Sequence, residues 1–353
     1  MNKKDFFVEK LRNIIRNENI SSGDAYECLK YLLDNEFGIA NDSCFGAYLA
    51  ALQTKGPTVD EIVGLMNCVM NYDRRELKIE RNFDKPLCGI IGSGKDDVKT
   101  FNISSISSIV AASAGVKVLK NGSRSEASVA GTTDVFEKLG LNVLQSNKKT
   151  LEKSINELNF GFCDTEPYFP KMTEQYLGKF FFVHPLSYIL PIASGITFDR
   201  VVFGLASDET EITAKLLQRL GYDNSMVVSG RDMEGNYFDE ISNIGPTKIS
   251  EIKNGKINTY TIMPTDFNIK LSDKKEIWEG KSVDENAKIF IDVLSQKIEG
   301  AKLDVILLNA GTLIYISGEA NSINDGIEKA RNAISSGKAL ERLNKVINLF
   351  REN

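Results

Sequence analysis

Apolar residues recur at helical spacing over residues 3–77. Phe6, Phe7, Leu11, Ile14 and Ile15 make one stripe, and Tyr26, Leu29, Leu32 and Leu33 make another. Ser22, just before Asp24-Ala25-Tyr26-Glu27, gives an N-cap signal for the second helix, and Ser43 reads as the cap of CFGAYLAALQTKG, which stops at Gly56. Thr58-Val59-Asp60-Glu61 is a capping box opening a fourth helix, from 62 to about 70. Four short helices without a strand predict a small bundle. A charged stretch, 78–86, reads as a hinge.

Beyond it the period changes. LCGII (87–91) reads as a strand, followed by a polar glycine loop and a helix. A second strand (116–119), another small-residue loop and another helix follow. Strands alternating with helices predict a parallel sheet, and such sheets hold ligands in the loops at the carboxyl ends of their strands. RVVFGLA and 226–229 continue the strand pattern, with Asp208 and Glu211 resembling a cap for the helix between them. Residues 247–262 read as a hairpin turning at Asn254-Gly255. The chain closes with an amphipathic helix over 321–335 and then SGKALERLNKVINLF. The fold class is therefore α/β: a small N-terminal helical bundle (1–77), then a larger α/β domain (78–353) with a mainly parallel central sheet.

Composition changes this picture little. The chain has 353 residues and a net charge of −5, which favours neither a nucleic-acid nor a membrane surface. No apolar run is long enough to span a bilayer. The five cysteines, Cys28, Cys44, Cys68, Cys88 and Cys163, match no metal spacing and read as reduced core thiols of a cytoplasmic protein. The single histidine, His184, follows three phenylalanines and reads as a packed core group rather than a catalytic base.

The candidate chemistry lies in the two small-residue loops. Gly92-Ser93-Gly94-Lys95-Asp96 lets a backbone approach a ligand closely. Thr100-Phe101-Asn102-Ile103-Ser104-Ser105 then opens a helix, whose free N–H groups and partial positive charge favour phosphate. The second loop is read as carrying the cations Lys120 and Arg124. The first loop is not a Walker loop, because Asp96 follows Gly94-Lys95.

These runs, GSGKD, TFNISS, KNGSR, GTTD and FEKLG, resemble the anthranilate phosphoribosyltransferase family signature of GTGGD, TFNIST, KHGNR, a GSAD-type turn and LEKLG, at the same spacing. FGAYLAALQTKGPTVDEI, the later Asp239-Glu240 pair, Pro264-Thr265-Asp266-Phe267 and Asn309-Ala310-Gly311-Thr312-Leu313 also resemble family segments. The resemblance implies transfer of ribose 5-phosphate from phosphoribosyl pyrophosphate to a small aromatic or amine acceptor, with release of pyrophosphate. It implies that Gly92, Ser93, Gly94, Asp96, Thr100, Asn102, Ser104, Ser105, Lys120 and Ser128 contact the donor. Ser104, Asp239 and Glu240 would hold Mg²⁺, and Asn121, Ser123 and Arg124 belong to the acceptor side. No acid–base residue is implied. It further implies a homodimer through the helical domain, which a segment near 165–180 rejoins.

Several positions depart from the pattern. Lys95 replaces a glycine, Asn121 the usual His, and Ser123 the Asn that faces anthranilate. The segment DTEPYFPKMTEQYLGKFFFVHPLS lacks the family's PVR arginine. The donor side is largely kept and the acceptor side altered, so the expected acceptor is one other than anthranilate, or one bound in another way. A nucleoside phosphorylase, which shares the fold, and a non-catalytic family member stand as alternatives.

Overall fold

The computed structural model describes residues 2–124, 129–180 and 182–352, and the chain divides into two compact units, 1–76 with 165–195 and 77–164 with 196–353. In the first unit, α1 (Lys3–Ile15), α2 (Ser22–Leu33), α3 (Asn41–Lys55) and α4 (Val59–Cys68) form the bundle, and one π-helical turn, Val69–Asp73, extends α4. Phe7, Leu29, Leu32, Phe45, Tyr48 and Leu65 fill its core. The Thr58–Glu61 capping box is present in both directions. Glu61 is fully buried and also receives the Ile20 N–H and the Lys55 ammonium, so one carboxylate ties three segments.

Two cap assignments are corrected. The cap of α2 is Ser21, not Ser22, in a reciprocal box with Asp24. Ser43 lies inside α3, which starts at Asn41 directly after a 3₁₀ turn, Gly38–Ala40; the turn's backbone leads into the helix and no side chain caps it.

The second unit opens with β1 (Leu87–Gly92), α5 (Ile103–Ser113), β2 (Lys117–Gly122), α6 (Thr132–Leu139), α7 (Lys148–Leu158) and β3 (Phe160–Asp164). β2 runs three residues beyond the expected 119. It keeps its ladder with β3 as far as Gly122, where a side chain would strike the Phe162 ring. Lys120 and Asn121 are thus strand residues rather than loop residues. The chain then re-enters the helical unit, with α8 (Pro170–Gln175). There Asp73 accepts the Lys171 and Met172 N–H groups, and Lys171 pairs with Asp34. His184 is fully buried, Nε2 lying 3.1 Å from the Tyr176 hydroxyl and its ring edge-on to Tyr176, Phe180 and Phe182. None of the five cysteines is in a disulfide, and all but Cys44 are buried.

The remainder of the second unit is β4 (Arg200–Gly204), α9 (Thr210–Arg219), β5 (Asn224–Arg231), the short β6 (Tyr237–Phe238), the hairpin β7 (Thr247–Lys253) and β8 (Lys256–Ile262), and helices α10 (Val283–Leu294), α11 (Ala301–Ser317), α12 (Ile323–Ser335) and α13 (Lys338–Glu352). Asp208 does not cap α9; it pairs with Arg231 and Lys248, two cations that outcompete a helix-end amide. The sheet order is β3-β2-β1-β4-β5-β7-β8, with β6 on β5. β3 to β5 are parallel, and the hairpin adds antiparallel strands at one edge. Asn254 and Gly255 both have positive φ, the backbone a two-residue hairpin turn requires. The parallel strands are buried almost throughout, as expected where helices cover both faces. Among the described residues no helix is long and apolar enough to cross a membrane.

Helices α11 and α12 cross at two glycines. A Cβ at Gly311 would come to 2.6 Å from the Ile327 nitrogen, and one at Gly326 would overlap the Gly311 carbonyl. Gly326→Ala gains helix propensity but overpacks backbone against backbone, so it is expected to lower stability by about 1–2 kcal/mol net. Urea unfolding measures this; an unchanged or raised midpoint would contradict the crossing.

Candidate donor site at the carboxyl ends of the parallel strands

β1 and β4 end side by side in Gly92 and Gly204, β5 runs on past Val228, the partner of Gly204, to Gly230 and Arg231, and across the three glycines lies the acidic strap Phe238-Asp239-Glu240. A side chain at Gly92 would occupy the place of the Asp239 carboxylate. One at Gly204 would overlap the Asp239 carbonyl, and one at Gly230 the Glu240 carbonyl. The strap is thus seated as close to the sheet as peptide can come. The space left by Gly92, which the sequence assigns to a ligand, is filled by Asp239. Gly204 and Gly230 carry no local motif, and their part is legible only once the strands are aligned.

Two hydrogen bonds fix the carboxylates. Asp239 Oδ2 accepts the Gly94 N–H at 2.6 Å, in the turn where Gly94 has φ +70°. Glu240 Oε1 accepts the Ser104 N–H at 3.0 Å, in the first turn of α5. The glycine loop and the helix start, the two sites read as phosphate cradles, each hold a carboxylate. The loop is itself anchored: the Ser93 N–H donates to Gly204 C=O, Ser93 Oγ accepts the Ala206 N–H, and half-buried Asp96 accepts the Asp239 N–H at 2.8 Å. Asp97 exchanges backbone and side-chain bonds with Tyr237.

Charge is unbalanced here. Asp239 and Glu240 are 9% and 6% exposed. Burial and then the Asp239 charge push Glu240 well above the usual carboxylate range; burial raises Asp239, while the Gly94 N–H and Lys120 offset part of the rise. Asp96 is likewise raised, by desolvation and by Asp239. Lys120, 4% exposed, brings a cation close to Glu240 and Asp239, and burial lowers its ammonium to about 8 against their pull. It donates to the Asn121 carbonyl at 3.2 Å. Lys120 therefore comes to the carboxylates from β2, not from the loop after it.

The other candidate residues spread outward. Asn102 Nδ2 donates to Ala130 C=O, and Ser105 Oγ lies 3.3 Å from Thr132 Oγ1, so the start of α5 is tied to the turn that opens α6. Thr100 forms an isolated bridge with Trp278. Buried Asn121 ends on β2, and the Ser123 carbonyl accepts the Thr133 N–H. Arg124 turns onto α6 and pairs with Asp134 and Glu137. Lys95 is half-buried in the glycine loop, and Ser128 lies outside the described residues.

Residues 84–340 match the family model described as "Glycosyl transferase family, a/b domain", and residues 8–72 match "Glycosyl transferase family, helical bundle domain". The chain is 33% identical over 351 residues to an anthranilate phosphoribosyltransferase of Alkaliphilus metalliredigens, covering 98% of each chain, and 32% identical to one of Methanosphaera stadtmanae, covering 98% and 99%. The crystal structure of the Thermus thermophilus anthranilate phosphoribosyltransferase matches with a TM-score of 0.83 at 27% identity, over 97% of this chain and 99% of that one. The Saccharomyces cerevisiae enzyme in complex with PRPP and Mg shares the fold at a TM-score of 0.83 and 22% identity, over 98% of both chains. With both of the family's domains matched and a third of residues shared over nearly the whole length, this chain belongs to the anthranilate phosphoribosyltransferase family of glycosyl transferases.

Proposed function

We propose that the protein transfers the ribose 5-phosphate group of phosphoribosyl pyrophosphate to an aromatic amine of the anthranilate class, releasing pyrophosphate. One observation carries this: the glycine loop, the first turn of α5, a buried lysine and a buried carboxylate pair meet at the carboxyl ends of three parallel strands. In the reaction the bond from ribose C1 to the pyrophosphate oxygen breaks, a bond from C1 to the amine nitrogen forms, and the amine loses a proton. Charge builds on the leaving pyrophosphate and on C1, so the protein's task is to hold the reactants in line and to stabilise an oxyanion. The Gly94 and Ser104 N–H groups already bind anionic oxygen, and Lys120 adds a cation; these groups suit the donor's phosphates. A nucleoside phosphorylase is disfavoured because the loop follows the transferase pattern and the relatives named above are transferases.

The carboxylate pair fits Mg²⁺. The donors are oxygen only, and two adjacent carboxylates are buried near the Lys120 ammonium. Mg²⁺ takes one or two carboxylates together with substrate phosphates and water. Asp239 and Glu240 would hold it, with the Ser104 hydroxyl beside them. When bound, the ion neutralises charge on the leaving group.

The proposal also takes the protein as cytoplasmic and as a homodimer joined through the helical unit, where Ile15 and Ile39 are exposed. Sedimentation velocity at micromolar concentration is expected to give a dimer; a monomer at every concentration would remove that part.

Glu240→Gln tests the donor site. Calorimetric titration of phosphoribosyl pyrophosphate with Mg²⁺ is expected to lose at least tenfold in affinity in the variant, and to lose nothing comparable without Mg²⁺. Equal Mg²⁺ dependence in both proteins would refute the site. The same variant reports on burial. Glu240 has a raised folded pKa, so the native state is penalised as pH rises from the ordinary carboxylate range through that raised value. Without ligand the variant should therefore melt higher than wild type at pH 8, the gap closing towards pH 4.5. A gap that widens on acidification would contradict the desolvation argument.

On the acceptor side, Asn121→His/Ser123→Asn restores the family's residues. It is expected to lower KM for anthranilate severalfold and leave KM for phosphoribosyl pyrophosphate unchanged. A wild-type KM already as low as the variant's would mean that the altered positions do not weaken anthranilate.

A further inference from the structure

The strap is held on its far side by one residue. Asn309, in the middle of α11, is fully buried. Its Oδ1 accepts the Ile241 N–H at 2.9 Å, and its Nδ2 donates to the Ile241 carbonyl at 3.0 Å and to the Val305 carbonyl at 2.9 Å. A single amide thus satisfies both backbone groups of the residue directly after Glu240, and its second donor returns to its own helix. Beyond Ile241 the backbone is stitched again, the Ser242 N–H to Thr247 Oγ1 and Ser242 Oγ to Arg231 C=O. On the near side Gly92, Gly204 and Gly230 leave the strap no room to sink.

We infer that Asn309 is the positioning residue that fixes the direction in which Asp239 and Glu240 present their carboxylates, an inference that rests on the donor-site reading above. The chemistry requires an amide. Only Asn among side chains of this length offers an acceptor and a donor side by side, the complement of a peptide's N–H and C=O. Aspartate at 309 would face the Ile241 carbonyl with a second oxygen, and alanine would leave two backbone groups buried without a partner. Two neighbouring carboxylates held this deep are better solvated outside the site, and like charges on them repel, so both favour movement towards solvent. A rigid backbone clamp opposes that drift without touching the ligand.

The matched control is Asn286. It is 2% exposed and clamps a backbone in the same manner, Oδ1 accepting the Gly280 N–H at 3.1 Å and Nδ2 donating to the Gly280 and Ser282 carbonyls, with neither carboxylate of the strap among its partners. Both Asn309→Ala and Asn286→Ala are expected to lower the melting temperature. Only Asn309→Ala should weaken Mg²⁺-dependent binding of inorganic pyrophosphate, by at least tenfold, while Mg²⁺-free binding stays within twofold of wild type. Retention of Mg²⁺ dependence within twofold in Asn309→Ala, or an equal loss in Asn286→Ala, would overturn the inference. Hydrogen–deuterium exchange of the peptide spanning 238–244, without ligand, separates the clamp from the donor-site reading. Should wild type itself show no Mg²⁺-dependent pyrophosphate binding, that reading fails. Faster exchange of this peptide in Asn309→Ala alone would then still support the clamp, and unchanged exchange would overturn it.

Discussion

The close approach of one peptide strap to the ends of three parallel strands is the constraint on which the site depends. Gly92, Gly204 and Gly230 have no side chains, so the backbone of residues 238–240 reaches a depth that any other residue at those positions would prevent. That depth puts two carboxylates under cover beside a buried lysine. Depth also costs free energy, since a desolvated carboxylate pair disfavours its own ionisation. The cost is offset in part by the N–H groups of Gly94 and Ser104 and by Lys120. A bound divalent cation would offset the rest.

The same two N–H groups give the site a second property. In the structure they hold protein carboxylates, yet their position in a glycine turn and at a helix start is that of anion-binding groups in general. In the proposed function, phosphate and carboxylate would compete for the same N–H groups. A phosphoribosyl donor arriving with a cation would take over the N–H groups while the cation took the carboxylates, leaving each polar group partnered.

Much of the architecture was legible in the chain. The switch from helical to alternating strand–helix pattern at residue 87, the Thr58–Glu61 box and the Asn254-Gly255 turn are local signals, and each depends on residues within a few positions. At Asp208 and at the end of β2, where the reading missed, a partner distant in sequence had decided the outcome. Asp208 is drawn from the start of α9 by Arg231 and Lys248, and β2 is carried to Gly122 by its ladder with β3. Of the site, the loop, the helix start, Lys120 and the Asp239-Glu240 pair could be named from motifs. Gly204, Gly230 and the work of Asn309 could not, because each acts on a strap that reaches it only through the fold.

The central claim is that Asp239 and Glu240 receive the metal of a metal–donor complex at this spot. The most direct test is a crystal of the protein with Mn²⁺ and phosphoribosyl pyrophosphate, measured for anomalous scattering. The account predicts a manganese peak within bonding distance of oxygens of Asp239 or Glu240 and of the donor's pyrophosphate, with the Asp239 carboxylate withdrawn from the Gly94 N–H. A donor bound with no manganese at the strap, or manganese bound elsewhere while Asp239 stays on Gly94, would contradict it.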